Sequence, residues 1–479
     1  MLLSKLLERF GVHQEFRDTE VTYITDNTKK IKKGCVFVCI RGAHFDGHTA
    51  ALAAAEQGAA AVIAERDTGA PNQILVPNTR EAYGLLCQAF YDYPAEKLTM
   101  IGITGTNGKT TTAFLIKDIL DRCGKKTGLI GTVKNMIGDQ ERPAHLTTPD
   151  ALELNELLAE MVAAGCSHCV MEVSSQALDQ GRVKGINFSI AGFTNLTQDH
   201  LDYHKTFEAY RAAKHKLFEQ ADTAVLNIDD PNAMEMVRGT DCEVITLSAQ
   251  SDTADYTAKN VTHKTHSVTY ELVTNGRIGR VKIGIPGTFT VYNSMLAAVC
   301  CIAAGVDFSR TVEALSAAKG IPGRIEVVPT GTDYTVIIDY AHSPDGLKNI
   351  LESLREICGE GRILTVFGCG GDRDKTKRPQ MGKIAQERSD VCIVTSDNPR
   401  SEDPIAIIRD ILAGMREDPE HVVVEPDRTA AIARALSMAR AGDIVLLAGK
   451  GHETYQILST GTIHFDEREK IREILKIQS

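Results

Sequence analysis

A chain of 479 residues is too long for one growing core, so two to four domains are expected and three fit best. Its formal net charge of -10, with no basic block, excludes a general nucleic-acid binder, and no run reaches transmembrane length. The 12 cysteines show no zinc-like spacing, and Cys39, Cys300, Cys301 and Cys392 sit in apolar segments, as reduced thiols do. Met1 to Arg9 predicts an amphipathic helix rather than a signal peptide, so a cytoplasmic protein without membrane insertion is expected, as a monomer. Residues 1–97 read as a small α/β domain. Its strands are expected at Val21–Ile24, Cys35–Ile40, Ala60–Ala64 and Gln73–Val76, and its helices at Thr49–Gln57 and Arg80–Phe90. The polar turns that hold Thr25, Asn27 and His44 are either ligand contacts or ordinary loops.

Residues 98–322 are organised around Gly102-Ile103-Thr104-Gly105-Thr106-Asn107-Gly108-Lys109-Thr110-Thr111. Leu98, Met100, Ile101 and Ile103 predict a buried strand entering this stretch, and Phe114, Leu115, Ile119 and Leu120 predict a helix over Ala113–Cys123 leaving it. That is the context of a phosphate loop, in which backbone N–H groups point inward, Lys109 faces the terminal phosphates and a Thr110 or Thr111 hydroxyl can reach magnesium. A strict pattern would put its first glycine at position 103, where this chain has Ile. Further elements are expected at Asp150–Ala164 (helix), His168–Val173 and Phe188–Phe193 (strands), Tyr210–Ala221 (helix) and Ala224–Asn227 (strand). Short antiparallel strands within 251–281 and a helix at Ser294–Ala304 follow. Such alternation predicts a parallel sheet with ligands outside the carboxyl ends of its strands, where Glu172 falls.

Residues 323–479, entered through Pro322-Gly323-Arg324, carry five strand candidates: Thr335–Asp339, Arg362–Phe367, Val391–Thr395, His421–Val424 and Asp443–Ala448. Separated by helical stretches, they predict a second open α/β sheet of Rossmann-like type. The loops Asp339–Pro344, Gly368–Lys377, Asp397–Arg400 and Gly449–Glu453 at its strand ends are rich in charge and glycine. Near a phosphate loop, Glu172 and the run Asp199 to His204 suit divalent-cation binding, with a purely structural role left open. Lys214 lies on a helix, where lysines are usually solvated charges. Lys109, Arg324 and His342 are available to neutralise charge in phosphoryl transfer, and the loops around Gly368 and Arg400 suggest a small charged second substrate. A non-enzymatic nucleotide switch is the rival reading, but it gives Glu172, His200 and these loops no shared purpose.

Together, GITGTNGKTTT, Thr147-Thr148-Pro149, MEVSS at Met171, NLTQDHLD at Asn195, Tyr292-Asn293, Pro322-Gly323-Arg324, Asp339-Tyr340-Ala341-His342 and GKGHE resemble the Mur ligases of peptidoglycan synthesis. The resemblance covers nearly the whole chain and is nearest to the MurE type, which extends UDP-N-acetylmuramoyl-L-alanyl-D-glutamate by its third residue. It implies three domains and an ATP- and Mg(2+)-dependent ligase that works through an acyl phosphate. By this likeness Gly105, Thr106, Asn107, Gly108, Lys109, Thr110 and Thr111 bind ATP phosphates, Asn293, Arg324, Asp339 and His342 serve the nucleotide, and Thr110, Glu172 and His200 hold magnesium. Lys214 matches a lysine that is carbamylated and supports a second magnesium, a role the residues alone do not suggest. Thr147, Thr148, Ser174, Gln180 and Arg182 match contacts to the UDP-muramoyl-dipeptide, its uridine end near Thr25, Asn27 and His44. Asp26-Asn27-Thr28 departs from the Asp-Ser-Arg common in the family. Arg373, Asp397, Asn398, Arg400, Gly449 and Glu453 match contacts to meso-2,6-diaminopimelate, and lysine-adding relatives usually lack the arginine at 400. A bidentate guanidinium is the element a second carboxylate requires.

Overall fold

The strand Thr99–Thr104 is buried along almost its whole length, as expected of a strand covered on both faces. In the computed structural model, which describes residues 1–10, 14–42, 45–264, 266–318 and 320–477, it pairs in parallel with Phe188–Phe193 and His168–Glu172. The row continues in parallel through Ala221–Asn227 and Glu243–Ser248 on one side and Thr127–Ile130 on the other. Two short antiparallel strands, Asn135–Ile137 and Gln140–Arg142, close that second edge. The core of this sheet is built on Leu154, Leu158, Met171, Phe188, Phe193 and Tyr210. Gly102 belongs to that packing: a Cβ there would lie 2.8 Å from the Phe188 ring. The glycine that looked displaced from the phosphate motif is therefore a strand residue, and Gly105 makes the turn. The N-terminal sheet is four-stranded and wholly parallel, in the order Tyr23–Thr25, Cys35–Val38, Ala61–Ala64, Gln73–Leu75.

The third sheet runs Glu326–Val328, Thr335–Asp339, Ile444–Ala448, Ile363–Phe367, Val391–Val394, Val422–Val424, antiparallel only at its first pair. The chain is thus an α/β protein with an N-terminal domain, a central parallel-sheet domain and a C-terminal Rossmann-like domain. By packing it falls into two compact units, 1–248 with 253–255 and 296–311, and 249–252 with 256–295 and 312–479. The first holds the N-terminal and central parallel sheets. The second holds the C-terminal sheet and an antiparallel ribbon of Tyr256–Lys264, Ser267–Thr274 and Arg277–Ile283.

Several expected elements are corrected. The N-terminal helix is a single turn, Leu3–Leu6. The helix expected over Tyr210–Ala221 is Phe207–His215, because Thr206 caps it by accepting from Ala209 N at 3.1 Å and Ala221 begins the next strand. Thr288–Ala303 starts six residues before the expected Ser294, with the Thr290 hydroxyl bonded back to Pro286 O at 3.0 Å. The helix leaving the phosphate loop is Lys109–Arg122, so Lys109 is a helix residue and not a loop residue. His44 lies outside the described residues. Among the described residues no helix is long and apolar enough to cross a membrane.

Candidate active site

Gly105 has φ of 144° and Gly108, which precedes helix Lys109–Arg122, has φ of 86°, conformations a side chain rarely adopts. A Cβ on Gly105 would overlap the Thr194 hydroxyl and come within 2.9 Å of Asn195 O. The loop is held from the neighbouring strand end. Asn195 Oδ1 accepts from Asn107 N at 3.0 Å, and the Thr194 hydroxyl donates to Asn107 O at 2.7 Å. The Thr106 hydroxyl lies 3.0 Å from Tyr210 Oη. We expect Gly105→Ala to destabilise the fold by about 2 kcal/mol or more and to weaken ATP binding, read from urea unfolding and nucleotide titration.

Lys109 donates to Gly105 O at 2.8 Å and Thr106 O at 2.9 Å. Lys214 donates to the same Gly105 carbonyl at 2.8 Å. Only 1 % of Lys214 is exposed, so the expectation of a solvated charge is overturned. Burial, reinforced by the Lys109 cation, holds its amine well below the usual lysine range. Glu172, also 1 % exposed, accepts from the Thr110 hydroxyl at 2.9 Å, Thr132 N at 2.8 Å and the Thr132 hydroxyl at 3.0 Å. Gly131 leaves room for that carboxylate, since a Cβ there would overlap Glu172 Oε1. Thr132 was not singled out from sequence; its position just after strand Thr127–Ile130 was the available signal. His200 has a left-handed backbone with φ of 54°, and its Nε2 lies 3.6 Å from Asp199 Oδ2. Desolvation holds its imidazole below the ordinary value against the pull of Asp199.

Around the same strand end, the buried Thr148 hydroxyl donates to Glu172 O at 2.8 Å and accepts from Ser174 N at 3.0 Å. Thr147 Oγ1 lies 3.0 Å from Thr132 Oγ1. Arg182 donates to Thr148 O at 2.9 Å and Gln180 Oε1 at 3.0 Å. Thr147, Thr148, Ser174, Gln180 and Arg182 therefore form one hydrogen-bonded group with Glu172. Thr25 and Asn27 sit at an N-terminal strand end, where Asn27 Oδ1 accepts from Lys29 N at 2.9 Å and Asn27 N donates to Thr25 Oγ1 at 3.0 Å.

The remaining candidates belong to the second unit. Asn293 is a buried residue of helix Thr288–Ala303. Asp339 accepts from Ile325 N at 2.8 Å and Ala341 N at 2.9 Å, its carboxyl raised by burial against the pull of Arg324. The Arg324 guanidinium lies 4.9 Å from the centre of the Tyr340 ring, and His342 Nδ1 lies 2.8 Å from Tyr340 O. Arg400 has φ of 54° and donates through one nitrogen to Gly371 O at 2.8 Å and Asn398 O at 3.4 Å. Beside it, Asn398 donates to Glu453 at 2.8 Å, and Gly449, with φ of 113°, packs against Asp397. Arg373 is exposed on the Gly368 to Asp374 loop and donates to Asp372 O at 3.0 Å.

Three Mur ligase patterns match in sequence order: "Mur ligase family, catalytic domain" over residues 20–91, "Mur ligase middle domain" over 103–301, and "Mur ligase, glutamate ligase domain" over 323–451. A relative from Clostridium perfringens (strain 13 / Type A), named UDP-N-acetylmuramoyl-L-alanyl-D-glutamate--2,6-diaminopimelate ligase, is 45% identical over 489 residues, 99% of this chain and 100% of the relative. The chain belongs to the Mur ligases. A relative of the same name from Bacillus licheniformis is 44% identical, covering 98% of each chain. A solved structure described as that ligase has a TM-score of 0.73 at 33% identity and covers 99% of both chains. A D-alanyl-D-alanyl ligase structure from Acinetobacter baumannii, with a TM-score of 0.60 at 18% identity, shares the fold.

Among the described residues of this Mur ligase, no three His, Cys, Asp or Glu side chains gather as an all-protein metal cage. The donor set instead fits magnesium that keeps water and phosphate oxygens in its shell. The Glu172 carboxylate, the adjoining Thr110 hydroxyl and the neutral imidazole favoured at His200 are ligands of the required kinds.

Proposed function

We propose that this chain joins meso-2,6-diaminopimelate to the D-glutamate γ-carboxylate of UDP-N-acetylmuramoyl-L-alanyl-D-glutamate at the expense of ATP, in the cytoplasm and as a monomer. The domains divide near residues 97 and 322, with the nucleotide-linked dipeptide, ATP and the amino acid served in turn. The γ-carboxylate attacks the γ-phosphorus of ATP, the bond to the β–γ bridging oxygen breaks, and ADP leaves an acyl phosphate. The amine of diaminopimelate then attacks the carbonyl, the C–O bond to phosphate breaks, and a proton is lost as the amide forms. No protein nucleophile is needed. Lys109 and the amides of residues 105–111 hold the phosphates, while Thr148, Ser174 and Arg182 orient the dipeptide. Thr110, Glu172, His200 and, once carbamylated, Lys214 would hold magnesium, which would supply charge neutralisation on the transferring phosphoryl group.

The observation that carries the choice of amino acid is Arg400. Its guanidinium is half-buried on a strand-end loop, is oriented by two carbonyls through one nitrogen, and has no carboxylate within ion-pair distance among the described residues. A ligand with a carboxylate satisfies it, and lysine, lacking the distal one, leaves it unpaired. Phosphate release with ATP, magnesium and the UDP-muramoyl-dipeptide should be fast with meso-diaminopimelate and far slower with L-lysine. Equal turnover with the two would refute this reading. In Arg400→Ala the ratio of kcat/KM for the two amino acids should fall about 10²-fold, and an unchanged ratio would remove Arg400 from the selectivity.

A further inference from the structure

Lys450 is an unusual lysine: it stands between two glycines in a strand-end loop, yet none of it is exposed. The local backbone explains how. Gly449 has φ of 113° and Gly451 has φ of 54°, and a Cβ at Gly451 would lie 2.7 Å from Tyr340 Cβ, so the loop turns sharply on both sides of Lys450 and sends its side chain inward. The amine does not end in an apolar void. Nζ donates to Glu453 Oε2 at 3.0 Å and to Asn398 Oδ1 at 3.3 Å, with the rings of Tyr455 and Phe465 centred 5.8 Å and 6.0 Å away.

The two acceptors are also tied to each other. Asn398 Nδ2 donates to the same Glu453 oxygen at 2.8 Å, while Asn398 Oδ1 also accepts from Ile457 N at 3.0 Å. Lys450, Asn398 and Glu453 thus form a closed triangle in which the amide can face only one way: its NH2 must meet the carboxylate and its oxygen the amine. Flipping Asn398 would set its NH2 against the Lys450 ammonium and its oxygen against the Glu453 carboxylate. Glu453 Oε2 is occupied by this triangle, which leaves Oε1 as the oxygen that can meet a ligand.

We infer that Lys450 is a positioning residue that fixes Asn398 and Glu453 in the orientation that receives the amino-acid substrate. The inference rests on the reading of Asn398 and Glu453 as substrate contacts. Lys450 itself lies behind them, closed off from solvent, and acts only through them. Removing its charge leaves Glu453 Oε2 and Asn398 Oδ1 each short of one partner, so that the amide is held only by Glu453 and Ile457 N. The loss falls on amino-acid binding, since nothing in the triangle belongs to the phosphate loop.

The test uses the full-length enzyme with Lys450→Met, which keeps the length of the stem, and Lys450→Arg, which restores a cationic donor. Lys450→Met should raise KM for meso-diaminopimelate at least about ten-fold, or about 1.4 kcal/mol, while KM for ATP and for the UDP-muramoyl-dipeptide stays within about two-fold. Lys450→Arg should recover part of that loss. In a Glu453→Gln background the same change should add little, because the two residues act as a unit. Equal rises in all three KM values, or full additivity with Glu453→Gln, would overturn the assignment. Hydrogen exchange at Ile457 N reads the triangle without any substrate. It should accelerate at least about ten-fold in Lys450→Met, and an unchanged rate overturns the proposal whichever amino acid the enzyme takes. If the wild type fails to turn over diaminopimelate, the substrate reading falls on its own, and the exchange rate still decides the role of Lys450.

Discussion

Lys109→Met lowers kcat by about 10³ or more while the protein stays folded, and this is the largest single-residue effect expected at the phosphate loop. The ammonium of Lys109 is anchored on Gly105 O at 2.8 Å and Thr106 O at 2.9 Å, so it is positioned before a ligand arrives and pays little reorganisation when charge develops on the transferring phosphoryl group. A methionine preserves the stem and removes only the charge. Two hydrogen bonds to loop carbonyls are lost, about 1 kcal/mol each. The melting temperature should therefore fall by only a few degrees, with the protein still folded at assay temperature. Steady-state phosphate release with all three substrates saturating, alongside a thermal melt, checks both halves. A loss of less than about ten-fold would mean that Lys109 is not the principal protein charge on the phosphates.

The parallel strands were legible because each is a short apolar run bounded by turns. Thr335–Asp339 and Phe188–Phe193 match their expected bounds, and Ile363–Phe367, Val391–Val394 and Ile444–Ala448 differ by one residue. Asn135–Ile137 and Gln140–Arg142 carry no such run, because an edge hairpin is held by pairing and exposes Gln140, Glu141 and Arg142. Thr288–Ala303 opens with Thr-Phe-Thr-Val, which locally favours a strand, and helix wins through tertiary burial of Thr290 and Val291. At the site, the phosphate loop and Glu172 were readable from order along the chain. The contacts of Thr132 with Glu172 and of Asn398 with Lys450 were not, since they join residues 40 and 52 positions apart. Such contacts are made by strand ends meeting in a sheet, and no local period records them.

Lys214 is where local reasoning and burial disagree most, and its substitution separates function from stability. The folded amine titrates well below its ordinary value of 10.5 because burial and Lys109 both disfavour the cation. Between the folded and unfolded values the unfolded chain binds the extra proton. The burial penalty is thus absent above the unfolded value and grows as pH falls toward the folded one. Removing the amine in Lys214→Met should give a melting temperature at or above that of the wild type at about pH 7, and the wild type should gain on the variant as pH rises toward about 9.5. Activity should go the other way, falling about 10²-fold or more. A neutral, buried amine is the form that can add carbon dioxide: its nitrogen bonds the carbon as one C=O π bond opens onto oxygen, a proton is released, and the neutral amine becomes a carboxylate-like anion beside the phosphate loop. Wild-type turnover should accordingly fall when bicarbonate and carbon dioxide are stripped and return when bicarbonate is restored. Lys214→Met should respond to neither treatment. Full activity in the methionine variant would leave Lys214 as a packing residue, and a destabilised variant at about pH 7 would show that its hydrogen bond to Gly105 O outweighs the desolvation of its charge.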